Sequence, residues 1–235
     1  LVVEDMALNQ LLMKTLLDDF GFERDIVENG QIAVEKLLTN TYDIILMDLQ
    51  MPIMNGFEAT EYIRNTLKLT IPIIALTADV TTVDLAKCKS VGMNDYIAKP
   101  VDERLLFNKI IGLVKTPVLQ KDIANVEAAI VEIENPTIKY INLDYLNIRT
   151  KSNPKLMKEM ISIYLQQTPP LLEAMRQGVL NKDWPLLAAA THKIIPSFAI
   201  MGMSPEFENM AKQIQEAANT DQFTAEIAKM VVQLE

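Results

Sequence analysis

Short apolar runs of β-forming residues alternate with segments of helical period through the first half of the chain, and this alternation most restricts its fold. The runs are LVVE, DIVEN, DIILMD, IPIIALTA and DYIAK, and a stretch with helical spacing follows each of them. Nearly continuous apolar strands separated by helices are typical of a parallel sheet covered on both faces. Residues 1–115 are therefore predicted to form an α/β doubly wound domain with a five-stranded parallel sheet.

The strand pattern ends near Lys115, and the remaining residues divide into a linker and a helical region. Residues 116–141 contain one patch of helical period, DIANVEAAIVEIE, and are predicted to be a linker that is partly helical. Every long segment from 142 to 235 has helical period, which predicts an all-α helical bundle. Helix starts are expected at Asn153-Pro154, Thr168-Pro169, Asp183 and Ser204-Pro205.

Composition narrows the class of protein. A formal net charge of −9 argues against nucleic acid as a partner. The single cysteine excludes an internal disulfide, and no apolar run approaches the ~18 residues of a membrane span. The chain opens on a strand-like run instead of methionine, which indicates a piece of a longer protein. We expect a cytoplasmic segment without membrane contact, in a parent protein that can itself be membrane-anchored.

Polar residues stand at the ends of four predicted strands, where open parallel sheets bind ligands. They are Glu4, Asp5, Asp48, Thr77 and Lys99. Grouped carboxylates suit Mg²⁺, and an added ammonium and hydroxyl would stabilise a phosphoryl group in transfer to a carboxylate nucleophile. Taken singly, Asp5 could cap a helix, Thr77 could simply end a strand and Lys99 could be a solvated charge. Their joint position favours the phosphoryl-transfer site.

Four motifs together resemble the receiver domain of response regulators, over residues 1 to about 115. They are VED at residues 3–5, DIILMDLQMPIMNGFEAT around Asp48, IIALTA at 73–78 and Lys99-Pro100. The resemblance implies a flavodoxin-like fold in which Asp48 is phosphorylated. It also implies a Mg²⁺ site formed by Glu4, Asp5, Asp48 and the backbone carbonyl of Gln50. Further implied roles are phosphoryl contacts for Thr77 and Lys99, and a switch aromatic at Tyr96.

The only histidine, His192, falls in the third long helical segment of the second region. It lies two residues from both Ala190 and Ile194, which belong to an apolar stripe, so its ring is expected to face solvent. A neutral imidazole is a nucleophile at pH 7. Lys193 adds positive charge beside it, while Pro196 and Ser197 one turn later predict a low-relief surface that another protein can approach. Alone, a solvent-facing histidine is usually an ordinary surface residue.

The segment THKIIPSFAIMGM resembles the phosphoacceptor helix of histidine phosphotransfer (HPt) domains. The preceding helical segments resemble that family's hairpin, and the similarity spans residues 140 to 235. It implies that His192 exchanges a phosphoryl group with a receiver aspartate. Ile195 departs from many relatives, which have a second lysine there, and this departure would weaken attraction to an acidic receiver surface.

The two resemblances predict a phosphorelay segment of a two-component system, from the C-terminal part of a hybrid sensor histidine kinase. The expected partners are an upstream histidine kinase core and a downstream response regulator receiver. The chain has no Gly-rich phosphate loop, so an ATP-binding kinase core is not expected within it. The alternative is an adaptor or dimerisation module whose function does not depend on phosphorylation.

Overall fold

The computed structural model describes residues 1–78, 82–114, 142–220 and 224–234. The predicted linker at 116–141, with its helical patch, lies outside the described residues, as does the predicted domain end at Lys115. The described residues form an α/β region followed by a helical region.

Five short parallel strands form the sheet of the α/β region. They are β1 (Val2–Val3), β2 (Ile26–Val27), β3 (Ile45–Asp48), β4 (Ile73–Thr77) and β5 (Asp95–Ala98). Their order is β2-β1-β3-β4-β5, so the chain adds β2 to one side of β1 and the remaining strands to the other. The switch point between β1 and β3 is where such a sheet binds ligands. The predicted five-stranded parallel sheet is thus confirmed.

Helices cover both faces of this sheet, each with its own apolar cluster. They are α1 (Ala7–Phe20), α2 (Gly30–Thr39), α3 (Gly56–Asn65), α4 (Thr82–Val91) and α5 (Glu103–Leu113). The side chains of Asn29, Asn55 and Asp102 cap the starts of α2, α3 and α5 by accepting backbone N–H bonds. Gly21 and Gly92 follow α1 and α4 with φ of 75° and 94°, as expected for residues that end helices.

The helical region contains five helices within the described residues. They are α6 (Leu143–Arg149), α7 (Pro154–Asn181), α8 (Trp184–Ile200), α9 (Pro205–Asn219) and α10 (Ala225–Leu234). Asn153, Asp183 and Ser204 cap α7, α8 and α9 and so confirm three predicted helix starts. None of these described helices, and none in the α/β region, is long and apolar enough to cross a bilayer.

The predicted helix start at Thr168-Pro169 is wrong, because α7 continues through Pro169 and Pro170. Each proline removes one backbone donor and strains the preceding turn, which locally favours a break. Packing maintains the helix on both sides of the prolines. Met160 and Tyr164 are buried before them and Met175 after them. Tertiary burial therefore outweighs the local penalty.

The two regions share one apolar core. Helix α1 has six buried apolar residues, and their cluster continues into the helical region through Leu146, Met160, Tyr164, Ile200 and Met201. The side-chain oxygen of Gln167 on α7 accepts a hydrogen bond from the backbone N–H of Leu8 at 3.3 Å. Helix α1 is thus packed between the sheet and the second region.

Gly178 allows α7 and α8 to approach closely, and we predict that Gly178→Ala lowers the free energy of unfolding by about 1–3 kcal/mol. A Cβ there would lie 2.9 Å from Leu187 Cβ and 3.0 Å from its backbone nitrogen. The matched control is Gly112→Ala in α5, where an added Cβ meets nothing within 4 Å. It should stabilise the chain by up to about 1 kcal/mol through helix propensity. Urea denaturation measures both changes, and equal stabilisation would contradict the close packing.

Candidate functional site

The sheet brings the predicted strand-end residues to one edge. Glu4 follows β1, Asp48 ends β3, Thr77 ends β4 and Lys99 follows β5. The β3–β4 register pairs Asp48 with Leu76, directly before Thr77, and the backbone N–H of Lys99 donates to the Thr77 carbonyl at 2.7 Å. Adjacent strands therefore fix these side chains as neighbours.

The ammonium group of Lys99 joins two carboxylates in the interior of this edge. Its Nζ lies 2.7 Å from Glu4 Oε2 and 2.8 Å from Asp48 Oδ2. The Lys99 side chain is only 6% exposed, and both acidic side chains are at least as buried. Lys99 is therefore not a solvated surface charge. The Lys99–Pro100 peptide bond that follows is cis.

Burial and the neighbouring charges shift two pKa values here. Burial opposes the charged ammonium of Lys99, but the carboxylates of Glu4 and Asp48 outweigh it and raise its pKa above the ordinary value. Burial also raises the pKa of Glu4, and Lys99 acts against that rise. Lys99 consequently remains a permanent cation at the site at neutral pH.

Asp5 completes a group of three carboxylates whose oxygens lie within 4.8 Å of one another, together with Glu4 and Asp48. Hard oxygen donors at this spacing fit Mg²⁺. Asp5 does not cap α1, because the N-cap residue is Met6 and no side-chain cap bond forms there. The backbone N–H of Gln50 donates to Asp48 Oδ1 at 3.3 Å, while a metal-binding role for its carbonyl stays a prediction.

Two site residues escaped the sequence interpretation because their roles depend on where α1 starts. Asn9 Nδ2 donates to Glu4 Oε1 at 2.9 Å, and Gln10 Nε2 donates to the Glu4 carbonyl at 2.6 Å. Their signal in the sequence is a pair of amides a turn after the acidic residues. Asn9 and Lys99 together hold both oxygens of the Glu4 carboxylate.

Tyr96 lies on β5 and is 36% exposed. The ammonium of Lys109 lies 5.3 Å from the centre of its ring, and the same ammonium forms an ion pair with Asp95 at 2.5 Å. A switch role for Tyr96 stays a prediction. In this structure its side chain is partly exposed on β5, which is an edge strand of the sheet.

The expected solvent-facing position of His192 is wrong, since the residue is 7% exposed. Helix α8 packs against α7, α9 and α1 together, and ten of its 17 residues are buried. The apolar stripe in the sequence identified one packing face of α8 but not the others. Pro196 and Ser197 are also buried, so they do not form the predicted accessible surface.

Gln215 on α9 is the polar partner of His192. The side-chain amide of Gln215 lies 3.2 Å from His192 Nδ1. The atom nearest Nδ1 is the amide nitrogen Nε2 of Gln215, and in this orientation the amide donates to Nδ1, which favours the tautomer protonated at the other ring nitrogen. A reversed amide would accept a hydrogen bond from Nδ1–H instead. No sequence motif marked Gln215, which lies 23 positions away on a different helix.

Lys193 connects the helical region to the carboxylates. Its Nζ lies 2.5 Å from Asp5 Oδ2. The sequence interpretation expected this charge beside His192 but did not anticipate a partner in the first region. One lysine therefore borders both candidate phosphoacceptor sites.

The family model described as the response regulator receiver domain matches residues 1–111. These residues are a receiver domain. Sensor protein GacS of Pseudomonas syringae pv. syringae is 28% identical across all of this chain, which covers 27% of GacS. Further relatives and solved structures match about half of the chain.

Two of these similarities are to kinases. Hybrid signal transduction histidine kinase B of Dictyostelium discoideum is 43% identical over 113 residues, covering 43% of this chain and 6% of that protein. The autoinducer 2 sensor kinase/phosphatase LuxQ of Vibrio vulnificus is 40% identical over 111 residues, covering 47% of this chain and 13% of that protein. The chain thus spans about a quarter or less of these curated relatives.

A solved structure similar to the receiver domain is that of sensor histidine kinase PA1611 from Pseudomonas aeruginosa PAO1, with a magnesium ion coordinated in its active-site cleft. It has 35% identity and a TM-score of 0.45, covering 49% of this chain and 95% of that chain. A chain of the Saccharomyces cerevisiae Ypd1–Ssk1 receiver co-crystal has 31% identity and a TM-score of 0.47, covering 52% and 91%.

We predict that Lys99→Met destabilises the receiver domain by about 3 kcal/mol or more, because it leaves buried carboxylates without their cation. The control is Lys14→Met, which removes an exposed ammonium from α1 and should change stability by less than about 0.5 kcal/mol. Urea denaturation without divalent cations measures both. Similar stabilities for the two variants would contradict the central position of Lys99.

We also predict that Gln215→Leu alters the tautomer ratio of His192, because it removes the hydrogen bond at Nδ1. Nitrogen-15 NMR can measure this ratio without ambiguity, since the chain contains one histidine. The control is Gln213→Leu, an exposed position on the same helix, which should leave the imidazole shifts unchanged. An unchanged spectrum in Gln215→Leu would show that the amide does not set the ring's protonation.

Proposed function

We propose that this chain relays phosphoryl groups between histidine and aspartate in a two-component system. Asp48 accepts a phosphoryl group from the phosphohistidine of a histidine kinase, and His192 passes one to, or takes one from, a receiver aspartate. The observation that supports this most directly is the Lys99 ammonium 2.8 Å from Asp48 Oδ2, at the strand-end edge of a receiver domain.

The arrangement around Asp48 suits in-line phosphoryl transfer. An oxygen of Asp48 attacks phosphorus, the P–N bond to the donor imidazole breaks, and the electron pair of that bond returns to the ring nitrogen. Lys99 is close enough to Asp48 to move from a carboxylate oxygen to a phosphoryl oxygen. The buried hydroxyl of Thr77 ends the neighbouring strand, where it can donate to a second one.

Mg²⁺ is the proposed cofactor, held by the carboxylates of Glu4, Asp5 and Asp48 with the backbone carbonyl of Gln50. When bound, the ion would neutralise part of the charge on the phosphoryl oxygens. The carboxylates fit this role because their oxygens lie within 4.8 Å of one another. Tyr96 is the proposed switch aromatic, which would turn inward as Thr77 moves toward the phosphoryl group.

The second phosphoacceptor site is proposed to be His192, with the helical region acting as an HPt domain. Three observations support it: His192 has an amide partner at Nδ1, Lys193 lies against the receiver site, and the GacS similarity covers the whole chain. The burial of His192 adds a requirement to the proposal. Part of α8 must become accessible before another protein can reach the ring.

The parent protein is proposed to be a hybrid sensor histidine kinase, with this segment toward its C-terminus and in the cytoplasm. Its partners would be the kinase core upstream and a separate response regulator receiver downstream. The kinase and hybrid-kinase relatives support this assignment.

Labelling with a radioactive acyl phosphate and Mg²⁺ tests the two phosphoacceptors. We expect a base-labile label that Asp48→Asn abolishes and an acid-labile label that His192→Gln abolishes, because aspartyl phosphate and phosphohistidine differ in this way. Asp43→Asn, an exposed carboxylate before β3, is the matched control and should retain both labels. An unlabelled wild type, or equal labelling of all variants, would refute the relay and favour an adaptor module.

A further inference from the structure

The contact between Lys193 and Asp5 joins the helical region to a proposed ligand of Mg²⁺. The Lys193 ammonium lies 2.5 Å from Asp5 Oδ2, and the Asp5 side chain is 8% exposed. Lys193 itself is 31% exposed at its side chain, so it reaches a mostly buried carboxylate from the rim of the site. The ammonium of one region thus satisfies a carboxylate of the other.

Two further features keep α8 close to the receiver domain beside the Lys193–Asp5 ion pair. Gln167 bridges the regions, since its oxygen accepts from the Leu8 N–H and its nitrogen lies 3.2 Å from Ser197 Oγ. Pro196, one turn after His192, lines a small cavity with Glu4 and Lys99. The helix that carries His192 therefore lies along the carboxylate edge, and Lys193 is held there by more than its own charge.

Charge balance decides what happens when a divalent cation enters. Three carboxylates and two ammonium groups give the cluster a formal net charge of −1. A divalent cation would reverse it to +1 and would share an oxygen of Asp5 with an ammonium. Lys99 is 6% exposed and contacts two carboxylates, whereas Lys193 is 31% exposed and contacts one. Lys193 is therefore the less firmly held of the two ammonium groups.

We propose that Lys193 is a tethered cation that competes with Mg²⁺ for Asp5, so that cation binding by the receiver domain weakens the hold on the helix carrying His192. This inference rests on the proposed function, because it takes Glu4, Asp5 and Asp48 as the Mg²⁺ site. By thermodynamic linkage, the contact reduces Mg²⁺ affinity by the same factor by which Mg²⁺ weakens the contact.

Isothermal titration of the whole chain with Mg²⁺ tests the competition. Lys193→Gln should bind Mg²⁺ about three- to tenfold more tightly than wild type, since a partly exposed ion pair contributes about 1 kcal/mol. Lys193→Arg keeps the charge and should retain the wild-type affinity. Lys212→Gln is the matched control, because it removes a lysine paired with Glu208 on α9, and it should also match wild type.

The outcomes separate this inference from the proposed function. Mg²⁺ binding of equal affinity in Lys193→Gln and Lys212→Gln would overturn the competition and leave the cation site intact. Equal tightening in Lys193→Arg and Lys193→Gln would indicate packing instead of charge and would also overturn it. An absence of Mg²⁺ binding in every variant would refute both the cation site and the competition.

A second readout follows the helix itself. Saturating Mg²⁺ should increase amide hydrogen exchange in the α8 segment around His192 in the wild type. The increase should be smaller in Lys193→Gln, whose contact with Asp5 is already lost. Unchanged exchange in the wild type on Mg²⁺ binding would contradict the proposed coupling.

Discussion

The ammonium of Lys99, held between Glu4 and Asp48, is the interaction on which the strand-end site depends. A parallel sheet brings the carboxyl ends of β1 and β3 together, and here both ends have buried acidic side chains. Two carboxylates in that position repel each other unless a cation lies between them. Lys99 provides it from β5, two strands from β3, so the sheet and its site stabilise each other.

The receiver site could be predicted because its geometry follows from strand order. Apolar runs identified the strands, and residues that directly follow parallel strands meet at one edge whatever the helices do. Glu4, Asp48, Thr77 and Lys99 were therefore found from their positions alone. Asn9 was missed because its bond to Glu4 depends on where the first turn of α1 begins, which the sequence leaves uncertain by a residue or two.

The histidine site was harder to predict because its surroundings come from helices far apart in the chain. Helical period shows the strongest apolar face of α8, but three packing partners bury the other faces as well. Neither the burial of His192 nor its contact with Gln215 has a local signal. The wrong helix start predicted within α7 has the same cause. Its prolines locally favour a break, but packing on both sides of them maintains the helix.

Helix α1 packs against both regions within one apolar core, and this restricts which substitutions the helix can accept. Its buried leucines pack in one cluster with the sheet and with residues of α7 and α8, such as Tyr164 and Ile200. A substitution at a buried position of α1 must therefore remain compatible with the packing of both the sheet and the helical region. Joining this receiver domain to an unrelated helical domain would leave apolar residues of α1 without their packing partners. The two regions are therefore expected to be inherited together.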